Sequence, residues 1–367
     1  MKSWTSSEIA SDMESSISTT PAIANAEGGA RYPWLFNPQL DLIAFLGSAV
    51  AALSLLALGE SLGLIQEDTP DWIWIATILM IDVAHVYATG FRVYFVPEEL
   101  KRHPWLYGLT PILGFAIAWW LYQQGAMVFW RALAYLAVFH FVRQQYGWMA
   151  LYRAKEGDTG RLGWWIDTVA IYMATVYPLV YWHTHLPRKF AWFLEGDFVA
   201  LPSWLSEVAA VVYGIALIVY TLRALKRGWI DGRFNPGKEI MLATTVVCWY
   251  VGIIALDSDY AFTVTNVITH GVPYLVLVYW VQQRSTSRSG LGHRNRWVPY
   301  LAVLWGLAYF EEFLWDVGVW HERSWFFGTP QDWTAFHSIL VPLLALPQIT
   351  HYLLDGFIWR RRVRSGV

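Results

Sequence analysis

The residues of this 367-residue chain best able to do chemistry lie inside its most apolar stretches. Asp82, His85, Thr89 and Arg92 follow one another three or four positions apart. That spacing puts them on one face of a helix. His140, Arg143, Gln144 and Gly147 form a second stripe. Thr263, Asn266 and His270 form a third, with Pro273 just beyond it, and Gln348, His351 and Asp355 form a fourth. Neutral imidazoles and carboxylates are the ligands a first-row metal takes where thiolates are lacking. The chain has one cysteine, Cys248, so no thiolate cluster or intrachain disulfide is possible within it. Asp82-x-x-His85 and His351-x-x-x-Asp355 also suit an arrangement in which a carboxylate orients an imidazole from behind. The stripes therefore predict a metal site drawn from His85, His140, His270, His351, Asp82 and Asp355. Arg143, Gln144 and Asn266 are the candidates for acting on a substrate beside it.

The elements that must position these residues follow from composition. Hydrophobic residues make up 56% of the chain and charged residues 15%, against about a quarter charged in soluble domains. Laid out in long runs, this excludes a soluble enzyme, a disordered chain and a fibrous protein. It predicts an all-α, polytopic bundle of membrane-spanning helices. Ten runs are long enough: 39–59, 72–95, 105–122, 127–152, 164–182, 204–225, 240–256, 260–282, 297–315 and 333–359. Many end in Trp or Tyr, as an interfacial aromatic belt requires. This accounts for part of the 24 tryptophans. Pro342 and Pro347 predict a kink in the last run.

Alternate connections carry the positive charge. Lys2, Arg31 and the groups around Lys101, Arg153, Arg227, Arg288 and Arg361 hold 20 of the 26 basic residues. The opposite loops hold only Arg188, Lys189 and Arg323. The positive-inside rule then predicts both termini in the cytoplasm, here of a bacterial inner membrane. Residues 1–37 read as a polar, mostly disordered arm, 38–362 as one transmembrane domain and 363–367 as a short basic tail. The first stretch has no basic n-region ahead of an apolar core, so it does not read as a signal peptide.

Depth adds to spacing. At 1.5 Å per residue His85 lies roughly 16 Å, His140 roughly 18 Å, His270 roughly 20 Å and His351 roughly 13 Å from the basic ends of their helices. Four histidines on four helices thus reach a common level near the middle of the bilayer. Ionisable residues there are costly and signal function. Single histidines in this position can also serve only as interhelical hydrogen-bond partners. Arg143 at this depth predicts a pairing with Asp82, Asp355 or an anionic substrate group. The acidic group Glu311, Glu312, Asp316 and Glu322, with His321 and His337, reads as a hydrated rim at the other end.

Several functions compete for this pattern. The dispersed His85, His140, His270 and His351, one per span, resemble the layout of the bacterial Brp/Blh β-carotene dioxygenase family, a group of integral membrane oxygenases. That resemblance implies iron and O2-dependent cleavage, desaturation or hydroxylation of a lipid-soluble substrate, with a separate electron-donor protein as a possible partner. Fatty-acid desaturases differ, since their clustered histidine boxes are missing and only His183-Thr184-His185 comes close. A haem b protein is the next reading, because His337 and His351 stand 14 residues apart in one run. A proton- or metal-coupled transporter would use the same midplane His and Asp, with Gly271 and Pro273 breaking a span. An acyltransferase built on His270 would leave the other three histidines unused. Nucleic acid is not expected as a partner.

Overall fold

The computed structural model describes residues 32–287 and 296–359. The expectations for residues 1–31, for Arg288 and its neighbours up to residue 295, and for the residues from Arg360 onward, including the basic tail 363–367, lie outside the described residues.

Among the described residues every regular element is helical. Ten long helices coincide with the ten apolar runs. They are α1 (Pro38–Ser61), α2 (Asp71–Tyr94), α3 (Pro104–Gln123), α4 (Ala126–Glu156), α5 (Arg161–Thr184), α6 (Trp204–Ile230), α7 (Pro236–Ala255), α8 (Asp259–Arg284), α9 (Trp297–Trp315) and α10 (Thr334–Ile358). Eight of these are long and apolar enough to cross a membrane. The exceptions are α5 and α9, whose Asp167, Glu311 and Glu312 dilute their apolar character. The fold is an all-α bundle of membrane-length helices.

Local signals set several boundaries. Asn37 caps α1 by accepting from the Leu40 amide, with Pro38 at the first helical position. Asn235 and Pro236 repeat the device at α7. Gly157, at φ 71°, ends α4 in the left-handed region that favours glycine. The kink expected in the last run is present: α10 is interrupted at Ala345, between Pro342 and Pro347. The break expected at Gly271 and Pro273 is not. Residues Ile268–Ser287 run on as one helix, and the irregularity lies one turn earlier, in a π-helical turn over Thr263–Val267.

The bundle is partly inside-out. The face of α6 carrying Val208, Val211, Ile215, Ile218 and Leu222 is exposed, as are Ile112, Leu113, Ile117 and Trp120 on α3. Such apolar surface is untenable in water and is what a hydrocarbon solvent requires. The best enclosed helix is α8, with 89% of its apolar window buried. It packs against α1, α2 and α7, while α10 packs against α2, α3 and α4.

One end of the bundle is held by a charge network that sequence reading assigned only to topology. Asp167 on α5 accepts from Arg153 on α4, from Arg223 on α6 at 2.8 Å and from Lys238 on α7 at 3.4 Å. Asp158, in the α4–α5 turn, binds Arg153, Arg223 and Arg227. Glu156 takes Arg227 and Lys238. These charges make up the basic end of the bundle. Asp316 and Glu322 mark the acidic end.

Candidate metal centre

The centre is built where α2, α4, α8 and α10 meet. Gly271 decides how closely α2 and α8 approach. A Cβ there would stand 2.5 Å from Ile81 Cγ2 and 3.3 Å from the Ile81 carbonyl oxygen. With only hydrogen in that place, His85 and His270 come into contact, Nε2 to Nε2, at 3.1 Å. His351 and His140 meet in the same way at 3.2 Å. The pairs are themselves in contact: ring centroids are 4.8 Å apart for His85 and His351, and 5.1 Å for His140 and His270. All four histidines are buried, none more than 2% exposed. The common depth of the four histidines thus corresponds to a real convergence.

The other ring nitrogens point outward. His351 Nδ1 and Thr89 Oγ1 are 2.7 Å apart. His85 Nδ1 faces Asp82 Oδ1 at 3.5 Å, and His140 Nδ1 faces Asp355 Oδ2 at 3.7 Å. Three of the four imidazoles therefore have an oxygen behind them, the position that fixes a ligand's tautomer and orientation. Asp82 and Asp355 stand behind the histidines, although Asp82 also groups with His85 and His270 as a possible ligand. Trp359 donates to Asp355 Oδ1 at 2.6 Å and holds that carboxylate. His270 lacks such an oxygen. Its ring instead lies flat on Phe141, with centroids 3.5 Å apart and planes 6° from parallel.

The spacing has a chemical meaning. With metal–nitrogen bonds of about 2.0–2.1 Å, neighbouring ligands are about 3.0 Å apart at right angles and about 3.4 Å apart at tetrahedral angles. The Nε2 pairs at 3.1 and 3.2 Å fall in that interval. Without an ion, each pair can only share one proton between two nitrogens. Burying imidazoles costs hydration, and among the described residues the Nδ1 atoms of His85 and His270 find no hydrogen-bond partner. Among the described residues Asp82, Asp355 and Glu311 form no ion pair with Lys or Arg, in contrast to the acids of the basic end. A cation held by the four imidazoles would offset the charge of these carboxylates.

The candidates beside the metal ligands divide. Gln144, one turn from His140, is 5% exposed, and among the described residues neither its amide oxygen nor its nitrogen has a partner. Asn266, one turn from His270, is also buried, but its amide nitrogen is used by Thr265 Oγ1 at 3.1 Å and the Phe262 carbonyl at 3.5 Å. Arg143 is a correction. It is exposed, donates to the Tyr172 hydroxyl and lies over the Tyr146 ring at 4.9 Å, reaching neither aspartate. A three-residue step advances about 300° around the helix, leaving Arg143 about 60° from His140, and that offset turns it outward. Metal content is accordingly expected to be the same in Arg143→Lys, Arg143→Ala and the unmodified protein, measured by mass spectrometry. A loss of metal in either variant would return Arg143 to the site.

His337 and His321 stay at the acidic end, donating to the carbonyls of Gly318 and Val317. Sequence reading missed Phe141 and Tyr352, whose rings flank His270 and His140. Aromatic residues are too common here to single out a stacking partner. The π-helical turns over Ile75–Val83 and Thr263–Val267, each just before a histidine, also leave no mark in the sequence. Such turns occur often at functional sites.

No protein-family model, curated protein or solved structure matches this chain. The reading of function therefore rests on the site itself.

Proposed function

We propose that the chain is an integral membrane metalloenzyme, an iron-dependent oxygenase or desaturase type of oxidoreductase acting on a lipid-soluble substrate. The observation that carries this is the convergence of four buried Nε2 atoms with oxygens behind three of the rings. Four imidazole ligands suit iron, copper, zinc and nickel alike. Iron is favoured by the layout of one histidine per span, which resembles that of the membrane dioxygenases, and by the redox and O2 chemistry that zinc lacks. When bound, the metal would supply the one-electron and O2 chemistry that side chains lack.

The residues of the chain have separate tasks in this reading. Thr89 accepts from His351 Nδ1–H and so leaves the Nε2 lone pair facing inward. Asp82 and Asp355, 3.5 and 3.7 Å behind His85 and His140, bias the proton of those rings toward Nδ1 by charge rather than through a hydrogen bond. Phe141 shields His270 from water. Gln144, with both amide atoms free, is the group available to a polar atom of the substrate. The substrate enters laterally from the bilayer. A haem fits less well, because a porphyrin needs two imidazoles facing across its plane, whereas these four rings are in mutual contact.

In the same reading the protein is multi-pass with the basic end and both termini in the cytoplasm, as in a bacterial inner membrane. An electron-donor protein would dock at that end. The test is metal analysis of the detergent-purified full chain. About one first-row ion per chain that resists dialysis is expected, with iron giving O2 consumption on addition of a lipid extract. Metal-free protein that takes up none on reconstitution would remove the proposal.

A further inference from the structure

We propose that the exposed cations Lys155, Arg161, Lys226 and Arg233 bind the headgroup of an anionic phospholipid whose acyl chains lie along α6. The inference is independent of the metal centre and goes beyond the function proposed above.

Direct contacts bring the four cations to one corner of the basic end. Arg227, near the end of α6, binds Asp158 in the α4–α5 turn at 2.8 Å and also binds Glu156. Lys226 is the chain neighbour of Arg227, Lys155 is that of Glu156, and Arg161 opens α5 three residues after Asp158. The chain after α6 turns back at Gly232, whose φ is 64°, and the Arg233 amide donates to the Arg227 carbonyl at 2.8 Å. Gly163 lets α5 and α6 close here, since a Cβ in its place would collide with the Arg223 guanidinium.

Charge separates this patch from the network beneath it. In the network, Arg153, Arg223, Arg227 and Lys238 are matched by Glu156, Asp158, Asp167 and Glu239. Lys155, Arg161, Lys226 and Arg233 lie outside it and are exposed. Among the described residues none of the four has an anionic partner, and Asp231 is the acid beside them. A cluster of cations at the end of membrane-spanning helices attracts anionic lipid.

The second observation is apolar, and it selects the occupant. Trp229 is 85% exposed, Ile230 76% and Leu162 75%, so both helices carry bare apolar side chains among the cations. Tryptophan belongs at headgroup level, where Lys and Arg lay their stems along apolar surface and keep the charge in water. From Trp229 the exposed residues Leu225, Leu222, Ile218, Ile215 and Val211 step three or four positions at a time along one face of α6. Only 11% of the apolar window of α6 is buried. A phospholipid offers phosphate to the cations and hydrocarbon to this face in one molecule. A free phosphate or an acidic protein surface would match the cations alone.

The experiment uses the full chain. Native mass spectrometry of delipidated protein titrated with phosphatidylglycerol gives the affinity. Each cation near a membrane surface contributes about five-fold, so Lys226→Gln combined with Arg233→Gln should weaken binding about 25-fold. Lys101→Gln, which removes an exposed cation between α2 and α3, should leave the affinity unchanged. Excess inorganic phosphate should not displace the lipid. In nanodiscs, phosphatidylglycerol and phosphatidylcholine in equal parts should raise the Tm of the unmodified protein above its value in phosphatidylcholine alone, and should leave that of the double variant unchanged. An equal loss of affinity in Lys101→Gln would reduce the effect to diffuse attraction and overturn the site. Displacement by inorganic phosphate would make it a site for free anions. A double variant already less stable in phosphatidylcholine alone would give the two cations a partner within the chain. Either result would also overturn the proposal.

Discussion

His351→Ala is expected to abolish metal retention. His351 is in ring contact with both His85 and His140, so it joins the two Nε2 pairs into one cage. Losing an oxygen behind a ligand costs about 10- to 100-fold in metal affinity. Losing the ligand itself should cost more, so Asp355→Asn is expected to weaken binding and His351→Ala to reduce it below detection after dialysis. Thermal stability separates this from misfolding. A ligand that binds only the folded state raises stability with its concentration over its dissociation constant. Chelator should therefore lower the Tm of the unmodified protein but leave that of His351→Ala unchanged. A variant that keeps stoichiometric metal and a chelator-sensitive Tm would show that the four histidines are not one centre.

How much of this was legible in the sequence depends on what each feature answers to. A hydrocarbon solvent imposes long apolar segments, so the ten helices could be placed from composition alone. The two that fall short of the apolar criterion, α5 and α9, hold buried carboxylates serving the charge network and the acidic end. The histidine centre was legible because depth along a helix is a matter of counting. Arg143 was not, because rotation about the axis decides whether a residue three positions on faces a neighbour or lipid, and counting does not report it. The close approach at Gly271 and the Phe141 stack on His270 also depend on which helices become neighbours. The basic residues could be grouped at one end by counting, but their partners Asp158 and Asp167 became visible only when α4, α5, α6 and α7 were seen to meet.

That meeting point supplies the second large effect. Asp167 is fully buried and receives Arg153, Arg223 and Lys238 from three other helices. Asn keeps the shape but removes the charge, leaving cations gathered around a neutral amide. Removing one partner of a buried ion pair costs about 3–5 kcal/mol, and Asp167→Asn is expected to lose about that much, read as a lower Tm and a lower denaturant midpoint. Asp158 should give the network a pH dependence. Burial pushes its carboxyl up, but the Gly160 amide and the guanidiniums of Arg153, Arg227 and Arg223 outweigh this and hold it below its ordinary value of 3.8. A carboxyl depressed in the folded state stabilises fully above its unfolded pKa and loses that contribution as pH falls through the folded one. Stability from this source should therefore be flat from neutral pH down to about 5 and fall below about 4. Asp158→Asn should flatten the acid limb. Asp167→Asn with unmodified stability would show that the network orders surface charge without holding the four helices together.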